Sequence, residues 1–262
     1  NAVHPFGTGN FLIQLQRCFL ELLTVVDPRG DDHGPGRYTY PTDAVFGAGA
    51  YDLVEFVVAE DENHLVFRFT LAGPLNNDWG APNGMGIHTL DVYIDAAEGG
   101  ARVLLPGRNA ALPEGQGWEF ALWAEGWTPG LYGPPGDDAP EPLPIGDANT
   151  LNIISDPAQN KITIRLPKKV LAESLGLDPA AVEPAAWGYL GLVMSQEGYP
   201  ASGVWRVRDV EPVAQQWRFG GAPAGTRPCT ATTEVSSESI MRSGEIFGRR
   251  SPELPGANSR ER

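Results

Sequence analysis

Glycine and proline interrupt this sequence every few residues: 32 Gly and 24 Pro among 262 residues leave little room for long helices and suit short strands joined by turns. Between the breaks the apolar residues alternate. In LVFRFTL at 65–71, Leu65, Phe67, Phe69 and Leu71 fall on one face and Val66, Arg68 and Thr70 on the other, the period of a half-buried strand. YDLVEFVV at 51–58 precedes it across the polar turn EDEN at 60–63, which predicts a hairpin.

Further strands are predicted at 89–95 (TLDVYID), 101–107 (ARVLLPG), 118–127 (WEFALWAEGW), 160–167 (NKITIRLP), 187–194 (WGYLGLVM) and 202–210 (SGVWRVRDV). In TLDVYID, Leu90, Val92 and Ile94 share one face, and Asp91, Tyr93 and Asp95 the other. A short helix is expected at 168–175, with Pro167 at its entry and Gly176 as its stop. The run LYGPPGDDAPEPLPIG at 131–146 reads as a long surface loop. Strands without alternating helices predict an all-β antiparallel β-sandwich of jelly-roll type carrying one short helix. Its organisation is read as an N-terminal extension at 1–24, a sandwich at 25–230 and a polar tail or linker at 231–262.

Residues 231–262 carry acids and arginines in equal number, so the net charge of −14 lies wholly on the first 230 residues. An acidic body repels nucleic acid. The apolar run 11–26 is broken by Gln14, Gln16, Arg17 and Glu21, so no transmembrane segment is expected. A start at Asn1 without Met fits an exported chain whose signal has been removed, and hence an extracellular or cell-surface location. Cys18 and Cys229 can be joined as a disulfide there or remain buried thiols.

The densest polar constellation is DPRGDDHGPGRYTYPTD at 27–43. Asp27, Asp31 and Asp32 crowd around Gly30, and calcium accepts six to eight oxygens from such carboxylates and from carbonyls. The spacing is not that of an EF-hand, so remaining ligands are sought at Asp52 and at Asp91 or Asp95. A solvated acidic turn accounts for the same pattern. Adjacent acids at Asp137 and Asp138, or from Glu60 to Glu62, read as solvated loop charges, and neither a catalytic triad order nor a nucleophile elbow is present. Catalysis is not expected.

Several uncommon motifs occur in order: the 27–43 run, AYDLVEFVV at 50–58, NDWGAPNGMGIHTLDVYID at 77–95, LLPGRN at 104–109, VWRVRDV at 204–210 and QQWRFGG at 215–221. Together they resemble the C-terminal module of glucodextranase, similar to modules on amylopullulanases and S-layer-linked glycosidases. The resemblance implies a sandwich related to family-nine carbohydrate-binding modules and the DOMON-like group, beside a neighbouring catalytic domain or surface-layer protein. The catalytic α/α barrel is not in this sequence, so no hydrolase activity is carried over. Such modules commonly hold calcium, and their expected partner is an α-glucan or another polysaccharide.

Sugar sites stack flat aromatic rings on pyranose faces. Trp123 and Trp127 have the strand parity opposite to Trp118, Phe120 and Leu122, which nominates them as platforms. Trp79 joins them, in a turn with Asn76, Asn77 and Asn83, of which Asn83 is the proposed hydroxyl partner. Trp187, Trp205 and Trp217 are assigned to packing. Two other functions remain open. One is haem binding of the DOMON type through Met85, His88 or Met194; the other is a structural surface subunit that docks through its sheet edges or the tail arginines Arg249, Arg250, Arg260 and Arg262.

Overall fold

The computed structural model describes residues 39–108, 110–136, 140–198, 205, 207, 208 and 210–221, together with the backbone of strands at 9–14, 19–24, 233–234 and 241–242. Among these the strands are β1 (Gly9–Gln14), β2 (Phe19–Thr24), β3 (Leu53–Glu60), β4 (His64–Leu71), β5 (His88–Asp95), β6 (Ala110–Ala111), β7 (Phe120–Glu125) and β8 (Gly130–Gly133). They continue with β9 (Leu143–Ile145), β10 (Asn152–Asp156), β11 (Lys161–Pro167), β12 (Gly188–Ser195), β13 (Val210–Glu211), β14 (Phe219–Gly220), β15 (Thr233–Glu234) and β16 (Met241–Arg242). The α-helix α1 (Lys168–Leu175) follows β11 directly.

The strands form the expected antiparallel sandwich. One sheet runs β1-β2-β12-β5-β7-β8-β9, with β16 also on β12, and the other runs β10-β11-β4-β3. Alternation explains how they meet. Phe67, Phe69, Ile162 and Ile164 from the smaller sheet face Leu90, Val92, Leu122 and Tyr189 from the larger, all buried in one core. Fully burying such a side chain contributes about 1.5–3 kcal/mol. Gly191 lets the sheets close, since a Cβ there would sit 3.0 Å from the Phe56 ring.

The β3–β4 hairpin forms where the EDEN turn places it. Asp61 accepts from the N–H groups of Asn63 (2.9 Å) and His64 (2.8 Å). The Asn63 N–H is the largest influence holding its carboxyl down to about 2. The helix also matches its expected span. Gly176 takes the left-handed conformation (φ 67°) and its cap closes onto Ala172 and Glu173 carbonyls.

Several segments depart from expectation. Residues 101–107 make only isolated bridges, Ala101 to Trp118 and Val103 to Ala111, and lie over the larger sheet as a cover. The described part of 202–210 likewise yields one bridge, Gln196 to Val207, and the start of β13. The 131–146 loop contains β8 and β9, because an edge strand tolerates Pro144, which cannot donate to a ladder. Strand β10, at the edge of the smaller sheet, was not expected at all.

The central strands of the larger sheet, β5, β7 and β12, are buried on both faces. Tyr93, Leu104, Leu105, Leu112, Trp118 and Trp123 build a second core beneath the 101–112 cover. Asp91, expected on a polar face, lies fully buried there: Arg108 clasps it through Nε and Nη2, both at 2.7 Å. The Tyr93 hydroxyl donates to the same carboxylate at 2.7 Å. Asp91 is therefore the anchor of the cover, and its charge is answered by Arg108 of the LLPGRN motif.

Candidate functional site

Register brings three strand ends together at one end of the sandwich. Thr89, near the start of β5, pairs with Glu125 at the end of β7 and with Met194 near the end of β12. The segments that continue from these ends, joined by residues 76–86 and 208–218, enclose a cleft of about 340 Å³. Trp79, Trp127 and Trp217 line it with Gln196, Glu197 and Arg218.

Local sequence sets each indole. Asn77 folds the 76–86 loop by accepting from Ala81 N–H (2.7 Å) and donating to its carbonyl (3.0 Å), while Gly86 N–H donates to Asn76 O (2.7 Å). Trp79 then lies across Gly86, where a Cβ would come within 2.8 Å of Cε3. Trp127 follows a close approach at Gly126, whose Cβ position is 2.2 Å from Met85 O. Beneath it Glu125 is fully buried and accepts from Trp127 N–H at 2.8 Å; burial raises its carboxyl above the usual range.

Trp217 is held by a buried guanidinium. Arg208 donates to Trp217 O (2.8 Å), to Ser195 Oγ (3.0 Å) and to Gln196 O, and its Cζ lies 4.9 Å from the Phe46 ring centre. Phe46 meets the Trp217 indole edge-on at 5.6 Å. Trp217 in turn meets Trp79 at 6.0 Å between ring centres, with the planes inclined at 60°. Glu197 and Arg218 form an ion pair at the rim.

The expected sugar residues divide. Trp79, 44% exposed, and Trp127 do line one cleft. Trp123 does not: it is 1% exposed in the second core, with its ring centre 5.1 Å from that of Trp205, so it has no open face for a pyranose. Parity alone misplaced it, because β7 is covered on both sides. Asn83 is a tether, donating to Glu125 O at 2.9 Å while its carbonyl accepts from Ser155 Oγ at 2.6 Å. Trp217, assigned from sequence to packing, is 37% exposed and belongs to the cleft. Its setting in QQWRFGG, flanked by Gln215, Gln216 and Arg218, was the available signal.

The metal expectation is not assembled by the described residues. Asp27, Asp31 and Asp32 lie outside them. Asp52 is buried beside the start of β5, where the neighbouring Ala50 O accepts from His88 Nε2 at 2.8 Å. Asp95 ends the same strand, roughly 23 Å away at about 3.3 Å per residue. These two carboxylates cannot share an ion. Among the described residues no three His, Cys, Asp or Glu side chains are grouped to hold a metal.

The haem ligands do not converge either. Met85 sits in the inter-sheet core, Met194 in the second core across the sheet. His88 is fully buried, and burial pushes its imidazole down to about 4. The acids Asp137 and Asp138 and both cysteines lie outside the described residues. Among the described residues no helix is long and apolar enough to cross a membrane.

An antiparallel sandwich with an aromatic cleft built by loops at one end is the architecture of a binding module. The chain belongs to the family of C-terminal, SLH-like binding modules of glucodextranase, which it matches over residues 22–238. No curated protein matches it.

Proposed function

We propose that this chain is a non-catalytic module that holds a polysaccharide in the cleft of Trp79, Trp127 and Trp217, fastening a neighbouring glycoside hydrolase or surface protein to its substrate or to the cell surface. One observation carries this: three tryptophans from separate segments meet at one cleft, two of them with large exposed areas. Buried tryptophans serve packing, whereas exposed ones bordered by polar groups suit the apolar face and hydroxyls of a sugar. Membership in a binding-module family supports the same role. Calcium is proposed at the turn bearing Asp27, Asp31 and Asp32, on the sequence pattern alone.

Affinity electrophoresis in gels containing soluble polysaccharides, with sedimentation on cell-wall preparations alongside, tests the proposal. Retardation or co-sedimentation that is lost in Trp217→Ala is expected. Unchanged mobility in every polysaccharide, together with no wall association, would leave a structural subunit as the surviving description.

A further inference from the structure

We infer that the cleft receives an anionic group of its ligand, a carboxylate, sulfate or phosphate, seated against Arg208 and Arg218. The inference rests on the polysaccharide-binding function proposed above only for the carrier of that charge, a sugar.

Two arginines are buried among the described residues, and their charges are answered differently. Arg108, 1% exposed, is clasped by the Asp91 carboxylate. Arg208, 7% exposed, lines the cleft, and among the described residues it bonds only to neutral acceptors: Ser195 Oγ, Trp217 O and Gln196 O. Taking a charge out of water is costly, so buried charges are ordinarily paired. A guanidinium carries five N–H groups, and these bonds use one on each nitrogen. One N–H on Nη1 and one on Nη2 remain, the kind of donor that binds carboxylate and phosphate oxygens. Burial also holds this guanidinium below its ordinary range, a shift that an adjacent anion opposes.

The same imbalance extends over the described lining. Its charged groups are two arginines against one glutamate, on a chain whose net charge is −14. That glutamate, Glu197, is bonded to Arg218 Nη1, which also donates to Trp217 O at 3.2 Å. The Nε and Nη2 groups of Arg218 have no partner among the described residues. Trp79 lies on Gly86 by its Cε3 and Cζ3 edge, which puts its indole N–H on the opposite edge, again without a partner among the described residues. Donors therefore outnumber acceptors. A neutral sugar presents hydroxyls that give as well as accept, whereas an anionic oxygen only accepts, and N–H bonds to it are roughly twice as strong as those between neutral groups. A volume of about 340 Å³ suits a ring with one charged substituent, and not a polyanion, which the acidic body would repel.

The test uses the full chain and its Arg208→Lys, Arg218→Gln and Glu197→Gln variants, with circular dichroism and thermal melting to check folding. Calorimetry compares galacturonic and glucuronic acid trisaccharides with their carboxyl-reduced, neutral counterparts, and adds sulfated and phosphorylated trisaccharides. Sodium sulfate and inorganic phosphate are titrated alone. At least one anionic trisaccharide is expected to bind about tenfold tighter, or more, than its neutral counterpart, and the anion that does so identifies the source of the charge. Arg218→Gln and Arg208→Lys should each weaken that binding about tenfold. Glu197→Gln, which removes the competing carboxylate, should tighten it, a gain that damage to the fold does not produce. If Arg208→Lys fails to fold, the other two variants carry the test. Neutral trisaccharides bound as tightly as every anionic one would overturn the inference and leave the polysaccharide-binding function standing. Inorganic anions bound through Arg218, with no glycan bound, would uphold the anion site and overturn the glycan reading. Binding of none of these probes would overturn both.

Discussion

Replacing Arg108 by Met tests the account of the second core, because it removes the cation bonded to the fully buried Asp91 carboxylate. Both side chains of the Asp91–Arg108 pair have zero exposure, and two bonds of 2.7 Å join them. After the substitution the Tyr93 hydroxyl still donates to Asp91. Breaking a buried pair from one side costs about 3–5 kcal/mol, since the remaining charge is left in a low-dielectric interior. That is a fifth or more of the roughly 5–15 kcal/mol that holds a typical domain together. At roughly 2–4 °C per kcal/mol for a chain of this size, the melting temperature should fall by about 6–20 °C.

The companion Asp91→Asn/Arg108→Met double variant removes the charge and its partner together, while Asn retains an acceptor for Tyr93. Its loss should be at least about 1.5 kcal/mol smaller than the sum of the single losses, the coupling expected of side chains in direct contact. Urea unfolding, read by tryptophan fluorescence and by circular dichroism, supplies the free energies. A single-variant loss under about 1 kcal/mol, or strict additivity of the pair, would refute the claim that this ion pair anchors the 101–112 cover.

Two other predictions concern protons and metal. His88 is buried neutral with its imidazole held down to about 4, against an ordinary value of 6.5. The unfolded chain therefore binds the extra proton first, so the stabilising effect is complete above about 6.5 and is lost as pH falls through 4, on the order of 3 kcal/mol in total. His88→Gln should flatten that part of the stability–pH curve; an unaltered slope between pH 6.5 and 4 would contradict the assignment. For the proposed calcium, saturation at one hundred times Kd stabilises by about 2.7 kcal/mol, or roughly 5–10 °C. Excess chelator should remove that increment from the parent chain and have no effect on Asp31→Asn, whereas a melting curve indifferent to chelator, in protein free of bound metal, argues against the site.

Local chemistry made the frame of this fold readable. Alternation in LVFRFTL and KITIRLP, the EDEN turn and the Gly176 stop each act within a few residues, and each produced the element expected. Long-range coverage was not readable. Nothing near Trp123 announces that residues 101–112 fold back over its face; the clue was the odd acid Asp91 in TLDVYID, which needs Arg108 seventeen positions later. Likewise β8 and β9 emerge from a Pro- and Gly-rich run because an existing sheet edge supplies their hydrogen bonds, a tertiary effect that local propensity does not contain.

The same division explains why the cleft was half seen. Trp79 and Trp127 sit in segments whose glycines and asparagines signal a turn, and turns at strand ends are where a sandwich presents binding groups. Trp217 is made available by a partner distant in sequence: Gln216 reaches Asp43 Oδ2 at 2.9 Å, and Thr42 N–H donates to Gln215 O at 3.0 Å, which pins the 215–218 segment beside Phe46. Arg208 then holds the Trp217 carbonyl at 2.8 Å. The candidate site thus depends on several separated stretches whose meeting is decided by the strand ends of β5, β7 and β12, so its shape, and with it the angle between the two exposed indoles, is a property of the sheet register rather than of any one motif.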